Sequence, residues 1–401
     1  MKILMFFDVH SPHLRLGAVA GHVRALSIEL QRRGHEFIVC AVGYRPEFGY
    51  GIKGYSLDGF FQRVPLLYKD ASSKWHPPMA DFLITKELKR IITQEKVQIV
   101  HTHGRALYSA LPLRKELKIP LVASLHGYEF ICPKADLLRQ DNSLCNKPLT
   151  SECIGCGIDC YGRAKSIAAY LATKINKKNL GSVDKFIAVS SYTKSIYQPY
   201  LGVEEGKIVV IPNFYFPDIK EEVKMSGSFP RDFMLFVGNL NPFKGVDILI
   251  EAYLRLNTHV KLVLIGTRHP DYHYQSTDNI ILLENASREL VMEAYRNCRF
   301  AIFPSTRPEP FPVVTLEAMS QKKAVIASRS GGFAEVVVDK ETGVLVPPGD
   351  AGALSQAISY LLGNSEITGK MGQNGYERWR QFFTPEVAAP KFENLYQSLV
   401  V

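Results

Sequence analysis

Phe303-Pro304-Ser305-Thr306-Arg307-Pro308-Glu309-Pro310-Phe311-Pro312-Val313-Val314-Thr315-Leu316-Glu317-Ala318-Met319 reads as a strand end, a loop and a helix start in immediate succession. The apolar run stops at Pro304. Pro312 suits a first helical turn, where its missing N–H would have had no partner. The N–H groups of Val313, Val314 and Thr315 are then expected to point out of the helix start. Such a start can hold a diphosphate without a cationic side chain, because unpaired N–H groups and the helix dipole both favour negative charge. Glu309 lies in the loop before it and Glu317 about one turn into it. Carboxylates on either side of a phosphate site suit hydroxyls, one set on a sugar and one on a ribose. Each could instead be a surface charge, but Glu317 stands between Leu316 and Ala318-Met319, an apolar context for a free carboxylate.

The segments around this stretch repeat its alternation. Met234 to Val237, Lys261 to Ile265, Ile280 to Leu283, Phe300 to Phe303 and Ala324 to Ala327 read as buried strands. Helices are expected between them at about Val246 to Arg255, Ser287 to Asn297 and Val313 to Lys322. The first half does the same. Strands read at Lys2 to Phe7, Phe37 to Val42, Ile99 to His101, Leu121 to Leu125, Phe186 to Val189 and Ile208 to Ile211. A helix from Gly21 to Arg33 ends at Gly34. Residues 43–78 read as an insertion of loops and short strands, and Phe214 to Arg231 as a linker. Short apolar strands alternating with helices predict parallel sheets covered on both faces. The expected architecture is α/β, with two Rossmann-like doubly wound domains at 1–213 and 230–377. Ligands are expected outside the carboxyl ends of the strands, in an interdomain cleft.

Bulk properties agree with a globular chain. Of 401 residues, 46% are hydrophobic and 22% charged, enough for two or three cored domains. No apolar run is long enough to cross a bilayer, and the opening Met1 to Phe7 is too short for a signal peptide, so a cytoplasmic protein is expected. A formal charge of +9 points to anionic partners, namely nucleotide phosphates or anionic lipid headgroups, unless it is only a basic surface. Nucleic acid is not expected, since zinc-finger spacing, RNP-like aromatics and a helix-turn-helix signature are all missing. A hydride-transferring dehydrogenase is disfavoured, because no Gly-x-Gly-x-x-Gly follows the first strand.

Glu309-x7-Glu317 after a Pro-Ser strand end, followed by Ala318-Met319, resembles family 4 of the retaining glycosyltransferases, which have the GT-B fold. Gly34-His35-Glu36, Ser124-Leu125-His126-Gly127, Val189-Ser190-Ser191, Ile211-Pro212-Asn213, Phe236 to Leu240, Lys244-Gly245, Gly331 to Glu335 and Thr342 to Pro347 are similar to that family's signposts, in its order. The resemblance implies transfer of a sugar from a UDP- or GDP-linked donor to a hydroxyl of a glycan or lipid-linked acceptor, as in cell-surface polysaccharide or glycolipid synthesis. It implies catalytic roles for His126, Glu309 and Lys244. Lys244 would face the donor diphosphate, Glu309 the C3 and C4 hydroxyls of the sugar, and His126 the transferred sugar. Glu317 would take the ribose, and backbone near Asn285 and Ala286 the base. Gly17, Gly238, Phe311, Pro312, Val313 and Val314 complete the implied donor contacts. Asn239 stands where the family usually has Arg, and Arg307 could supply the missing charge. His10, His22, His101 and His103 have weaker claims. The last helix, 384–399, is expected to pack back on the first domain, as in the family.

The implied mechanism retains configuration and needs neither a protein nucleophile nor a metal. The leaving diphosphate oxygen takes the acceptor's proton, and the protein positions the reactants and stabilises the departing charge. Two other features stand outside this reading. Cys145, Cys153, Cys156 and Cys160, with Cys132, have the close spacing of thiolate zinc ligands, or are reduced or disulfide-bonded cysteines. Arg163, Lys165, Lys174, Lys177, Lys178 and Lys185 punctuate a helix bearing Ile167, Tyr170, Leu171 and Ile175, which suits an anionic membrane face or ordinary packing on a sheet. Two alternatives remain open: a nucleotide-sugar epimerase of the same fold, and a non-catalytic nucleotide-sugar-binding protein.

Overall fold

The computed structural model describes residues 1–8, 18–42, 51–59, 78–141, 143–217, 229–268 and 277–400. The chain divides into two α/β units, Met1–Pro212 with Ala389–Val401, and Asn213–Ala388. Much of the insertion expected at 43–78, and most of the linker beyond Pro217, lies outside the described residues, as do His10 and Gly17.

The first unit runs β1 (Lys2–Asp8), α1 (Ala18–Arg32), β2 (Glu36–Val42), β3 (Lys53–Leu57), α2 (Phe82–Glu95), β4 (Ile99–His103), α3 (Leu107–Glu116), β5 (Leu121–Leu125), α4 (Glu152–Tyr161), α5 (Arg163–Lys177), β6 (Lys185–Ala188), α6 (Ser191–Leu201) and β7 (Ile208–Val210). Its parallel sheet has the order β3-β2-β1-β4-β5-β6-β7. Central strands covered on both faces are predominantly apolar, and β1 and β5 are buried through Ile3–Phe7 and Leu121–Leu125. Strand β4 runs two residues past the expected His101, because Thr102 and His103 stay paired with β1 and β5.

The second unit runs β8 (Phe233–Val237), α7 (Val246–Leu254), β9 (Lys261–Ile265), β10 (Ile280–Leu283), α8 (Arg288–Asn297), β11 (Phe300–Phe303), α9 (Val313–Ser320), β12 (Ala324–Ser328), α10 (Phe333–Val336), β13 (Gly343–Val346), α11 (Ala351–Gly363) and α12 (Ser365–Phe382). Its parallel order is β10-β9-β8-β11-β12-β13. A last helix, α13 (Pro385–Gln397), carries the chain back into the first unit. There Tyr396 and Phe392 are fully buried, and Glu393 binds His35 Nε2 at 2.9 Å.

Both sheets reverse their winding, between β1 and β4 in one and between β8 and β11 in the other. In doubly wound sheets, ligands bind outside the carboxyl ends of the strands at such a reversal. The segments leaving β4, β5, β8 and β11 are therefore the places to look for a site. His103 ends β4, and the segments leaving β5, β8 and β11 hold His126, Lys244 and Glu309.

Candidate donor site and histidine cluster

In the second unit, Lys244 follows β8 on a short 3-10 turn, Pro242–Lys244. Asn241 caps that turn, its side chain accepting from the Lys244 N–H at 3.0 Å. The turn presents the ammonium, whose Nζ lies 2.7 Å from Glu309 Oε1. Ser305 Oγ donates to the same oxygen at 3.2 Å. Burial alone would push the Glu309 carboxyl up. Lys244, Arg307 and the Ser305 hydroxyl outweigh it and hold the carboxyl below its ordinary value. Arg307 stacks over Phe243, 5.5 Å from its ring centre, so its charge stays beside Glu309. Asn239 is exposed and Gly238 half-buried at the end of β8.

Glu309 is fixed from below by a glycine pair. Gly331 bridges Glu309 in parallel fashion, and the Gly332 N–H donates to the Glu309 carbonyl at 2.8 Å. Gly331 has φ +56°, and a Cβ there would press on the Glu309 carbonyl and approach its nitrogen to 2.8 Å. The sequence reading gave Gly331 and Ser305 no role, and both turn out to set the position of the carboxylate.

Helix α9 starts after Pro312 as expected, with one correction. The Thr315 N–H donates to the Pro312 carbonyl at 3.1 Å, so a tight first turn uses it. Val313 and Val314 precede Thr315 at the helix start, and Phe311 is buried against Phe383. Thr315 Oγ1 and Glu317 Oε2 are buried without a hydrogen-bond partner. Buried polar groups are normally paired, so two orphans at one helix start are groups that a ligand would satisfy. Burial raises the Glu317 carboxyl above its ordinary value, although Arg288 and Tyr295 pull the other way. Asn285 leaves β10 in the left-handed region, φ 55°, which turns the chain into the loop before α8.

In the first unit four histidines converge. His103 Nδ1 and His126 Nε2 are 2.9 Å apart, and the rings stack at 5.1 Å. His22 of α1 meets His126 edge-on at 5.2 Å. His101 is held by Tyr396 Oη at 2.7 Å and Ser124 Oγ at 2.8 Å. Burial lowers all four, His126 to about 4, His101 to about 3, and His22 and His103 well below the ordinary imidazole value. His126 is therefore a neutral imidazole at neutral pH, polar but uncharged. Titration of His126 should add no limb to a kcat/KM profile between about pH 5.5 and 8. An inflection in that range that disappears in His126→Asn would contradict this. Among the described residues, His22, His103 and His126 are also the group whose ligand atoms, within 4.8 Å of one another, could hold a metal.

Cys153, Cys156 and Cys160 lie on α4, with Cys145 and Cys132 outside it, and the thiols are not gathered into a three-ligand set among the described residues. All seven cysteines are free, and Cys132 donates to Asp136 instead. The basic helix is also shorter than expected. It is α5, Lys178 caps it, and Lys185 opens β6 with its Nζ on the Gly206 carbonyl at 2.8 Å.

Two doubly wound parallel-sheet units, each reversing its winding at the centre of its sheet, are the architecture of the GT-B fold class. Comparison with known proteins supplies the family. Residues 19–218 match the model described as Glycosyltransferase Family 4, and residues 219–378 match Glycosyl transferases group 1. The chain belongs to this glycosyltransferase family. It is 29% identical over 306 residues to an uncharacterized glycosyltransferase of Methanocaldococcus jannaschii, covering 73% of this chain and 74% of that one. It is 27% identical over 238 residues to the O-antigen chain mannosyltransferase C of Escherichia coli, covering 56% and 64%. Among solved structures, sucrose-phosphate synthase from Thermosynechococcus elongatus superposes with a TM-score of 0.75 at 20% identity, over 100% and 99% of the two chains. Anabaena HepE in complex with UDP-glucose does so with 0.69 at 18%, over 99% and 100%. At these identities the structural likeness concerns the fold.

Proposed function

We propose that the chain transfers a sugar, with retention of configuration, from a UDP- or GDP-linked donor to a hydroxyl of a glycan or lipid-linked acceptor in polysaccharide or glycolipid synthesis. The observation that carries this is the Lys244–Glu309 pair, with Glu309 on the same loop that leads through Pro312 into the helix start at Val313. An ammonium and a helix start together stabilise the negative charge that builds on a departing diphosphate. Glu309 is ionised and acceptor-only, which suits the C3 and C4 hydroxyls of the donor sugar. Glu317 is assigned to the ribose, the backbone of Asn285 and Ala286 to the base, and His126 to the transferred sugar. No metal enters the step. The bond from anomeric carbon to phosphate oxygen breaks, the acceptor oxygen bonds to the same face, and its proton leaves on the diphosphate.

A peripheral place on the cytoplasmic membrane face is part of the proposal. Helix α5 carries Arg163, Lys174 and Lys177 and no carboxylate, and Ile167, Leu171 and Ile175 are exposed along it. Cations beside exposed apolar side chains suit an anionic lipid surface. No described helix is long and apolar enough to cross a membrane.

The test is a panel of UDP- and GDP-sugars with glycan and lipid-linked acceptors, read by nucleotide release and by NMR of the new anomeric centre. The expected result is acceptor-dependent release of nucleoside diphosphate and a retained configuration. Epimerised donor without transfer would establish the epimerase instead, and an inverted product would overturn the mechanism.

A further inference from the structure

Arg288 has no part in the reading above, yet it grips one of that reading's central groups. It is the first residue of α8, where Ser287 caps the helix by accepting from the Leu290 N–H at 3.2 Å. Its Nη1 lies 2.9 Å from Glu317 Oε1. Its Nη2 donates to Tyr215 Oη at 2.8 Å, and the guanidinium sits over the Tyr215 ring, 5.4 Å from the centre. Tyr215 is anchored in turn. Its carbonyl accepts from the Trp379 indole at 3.3 Å, and its N–H donates to the Phe383 carbonyl at 3.0 Å. One Glu317 oxygen is thus tied to a braced cation, while Oε2 is buried with no partner.

We propose that Arg288 is a positioning residue that turns Glu317 so that Oε2 accepts from the ribose hydroxyls, making the chain select ribonucleotides over their deoxy forms. This rests on the assignment of Glu317 to the ribose. A guanidinium bonded to one carboxylate oxygen leaves the other free and fixes its direction, whereas a carboxylate held at neither oxygen rotates. Charge matters as well as geometry. Burial raises the Glu317 carboxyl, and Arg288, with the Tyr295 hydroxyl nearby, is the group opposing that rise. Without Arg288 that opposition is lost and burial pushes the carboxyl further up, towards the protonated form that is the weaker acceptor.

Isothermal titration with UDP and with 2′,3′-dideoxy-UDP, and with the corresponding GDP pair, tests this. Arg288→Met should weaken the ribonucleotide by ~10-fold or more and the dideoxy form by less than about twofold. Nearly unchanged dideoxy binding shows at the same time that the pocket has folded. Arg288→Lys should restore part of the loss. Glu317→Gln should reproduce the ribose-specific loss, and adding Arg288→Met to it should cost little more. Equal weakening of both nucleotide forms would overturn the proposal, because Arg288 would then touch the phosphates or the base directly. Additive losses in the double variant would overturn it too. If neither UDP nor GDP binds the unchanged protein, the donor-site reading falls and this inference with it.

Discussion

Lys244→Met should leave a folded protein that transfers sugar about 10²–10³-fold more slowly, the usual penalty for removing one group that stabilises charge developing in a transition state. The ammonium is placed for that role by a capped turn and by its 2.7 Å contact with Glu309. Most of the loss should fall on kcat, because the leaving group gains charge only as the bond breaks. Glu309→Gln should be comparably slow. Lys244 and Glu309 form one contact, so the double variant should be far less than multiplicatively worse. Stability responds as well. Glu309 is held below its ordinary carboxyl value, so its contribution is present above that value and is lost as pH falls through the depressed one. Lys244→Met removes the partner and should cost about 1.5–3 kcal/mol near neutral pH. The variant should then lose less than the unchanged protein on acidification below about pH 4.5. Steady-state kinetics and urea titrations at several pH values check both parts. Unaltered kcat in Lys244→Met would remove the lysine from the mechanism.

Gly331→Ala should cost the protein both stability and rate. The position combines φ +56° with a direct approach to the Glu309 backbone. Left-handed backbone costs an L-residue about 1–2 kcal/mol. Forcing a Cβ into packed backbone adds about 1–3 kcal/mol more. The added Cβ also pushes on the loop that carries the carboxylate, and a shift of about 1 Å in a reacting group can cost 10²-fold in rate. The expected outcome is a lower melting temperature together with a kcat reduced by about 10²-fold. Gly349→Ala is the control. It shares the left-handed backbone, φ +77°, but a Cβ there meets nothing within 4 Å. It should show the backbone cost alone, with activity kept. Equal kinetics in the two variants would mean that Gly331 does not set the Glu309 loop.

The central strands were easy to read, because a strand covered on both faces is mostly apolar. Leu121–Leu125 and Phe300–Phe303 are of this kind, and each of their residues is buried. The edges were harder. In β3, Lys53–Leu57, only Leu57 is buried, so no apolar run announces it. Strand β13 opens on Gly343 and is only four residues long. Helix α2 carried a legible signal that the reading passed over: Asp81 caps it, and Ile84, Leu88, Ile91 and Ile92 share its buried face.

For the site, local spacing reaches the groups that lie close together in the chain. Glu309, Pro312 and Glu317 lie in one loop and helix start, and Lys244 sits beside a glycine. It failed where partners are distant in the chain. Nothing in the spacing joins Arg288 to Glu317, Gly331 to Glu309, or His103 to His126, since those contacts exist only once neighbouring strands are aligned. Thr315 was miscounted because a first turn can close tightly on Pro312. The cysteine spacing fits a metal site as well as it fits one turn after another of a helix, and Cys153, Cys156 and Cys160 do lie along α4.

The central claim is that the second unit grips a diphosphate through Lys244 and the start of α9. Calorimetric titration with UDP, GDP and ADP, each beside its monophosphate, tests it most directly, in the unchanged protein and in Lys244→Met. One diphosphate should bind at least ~10-fold more tightly than its monophosphate, and Lys244→Met should erase most of that difference. Diphosphate and monophosphate binding alike, or a diphosphate preference untouched by the substitution, would contradict the account.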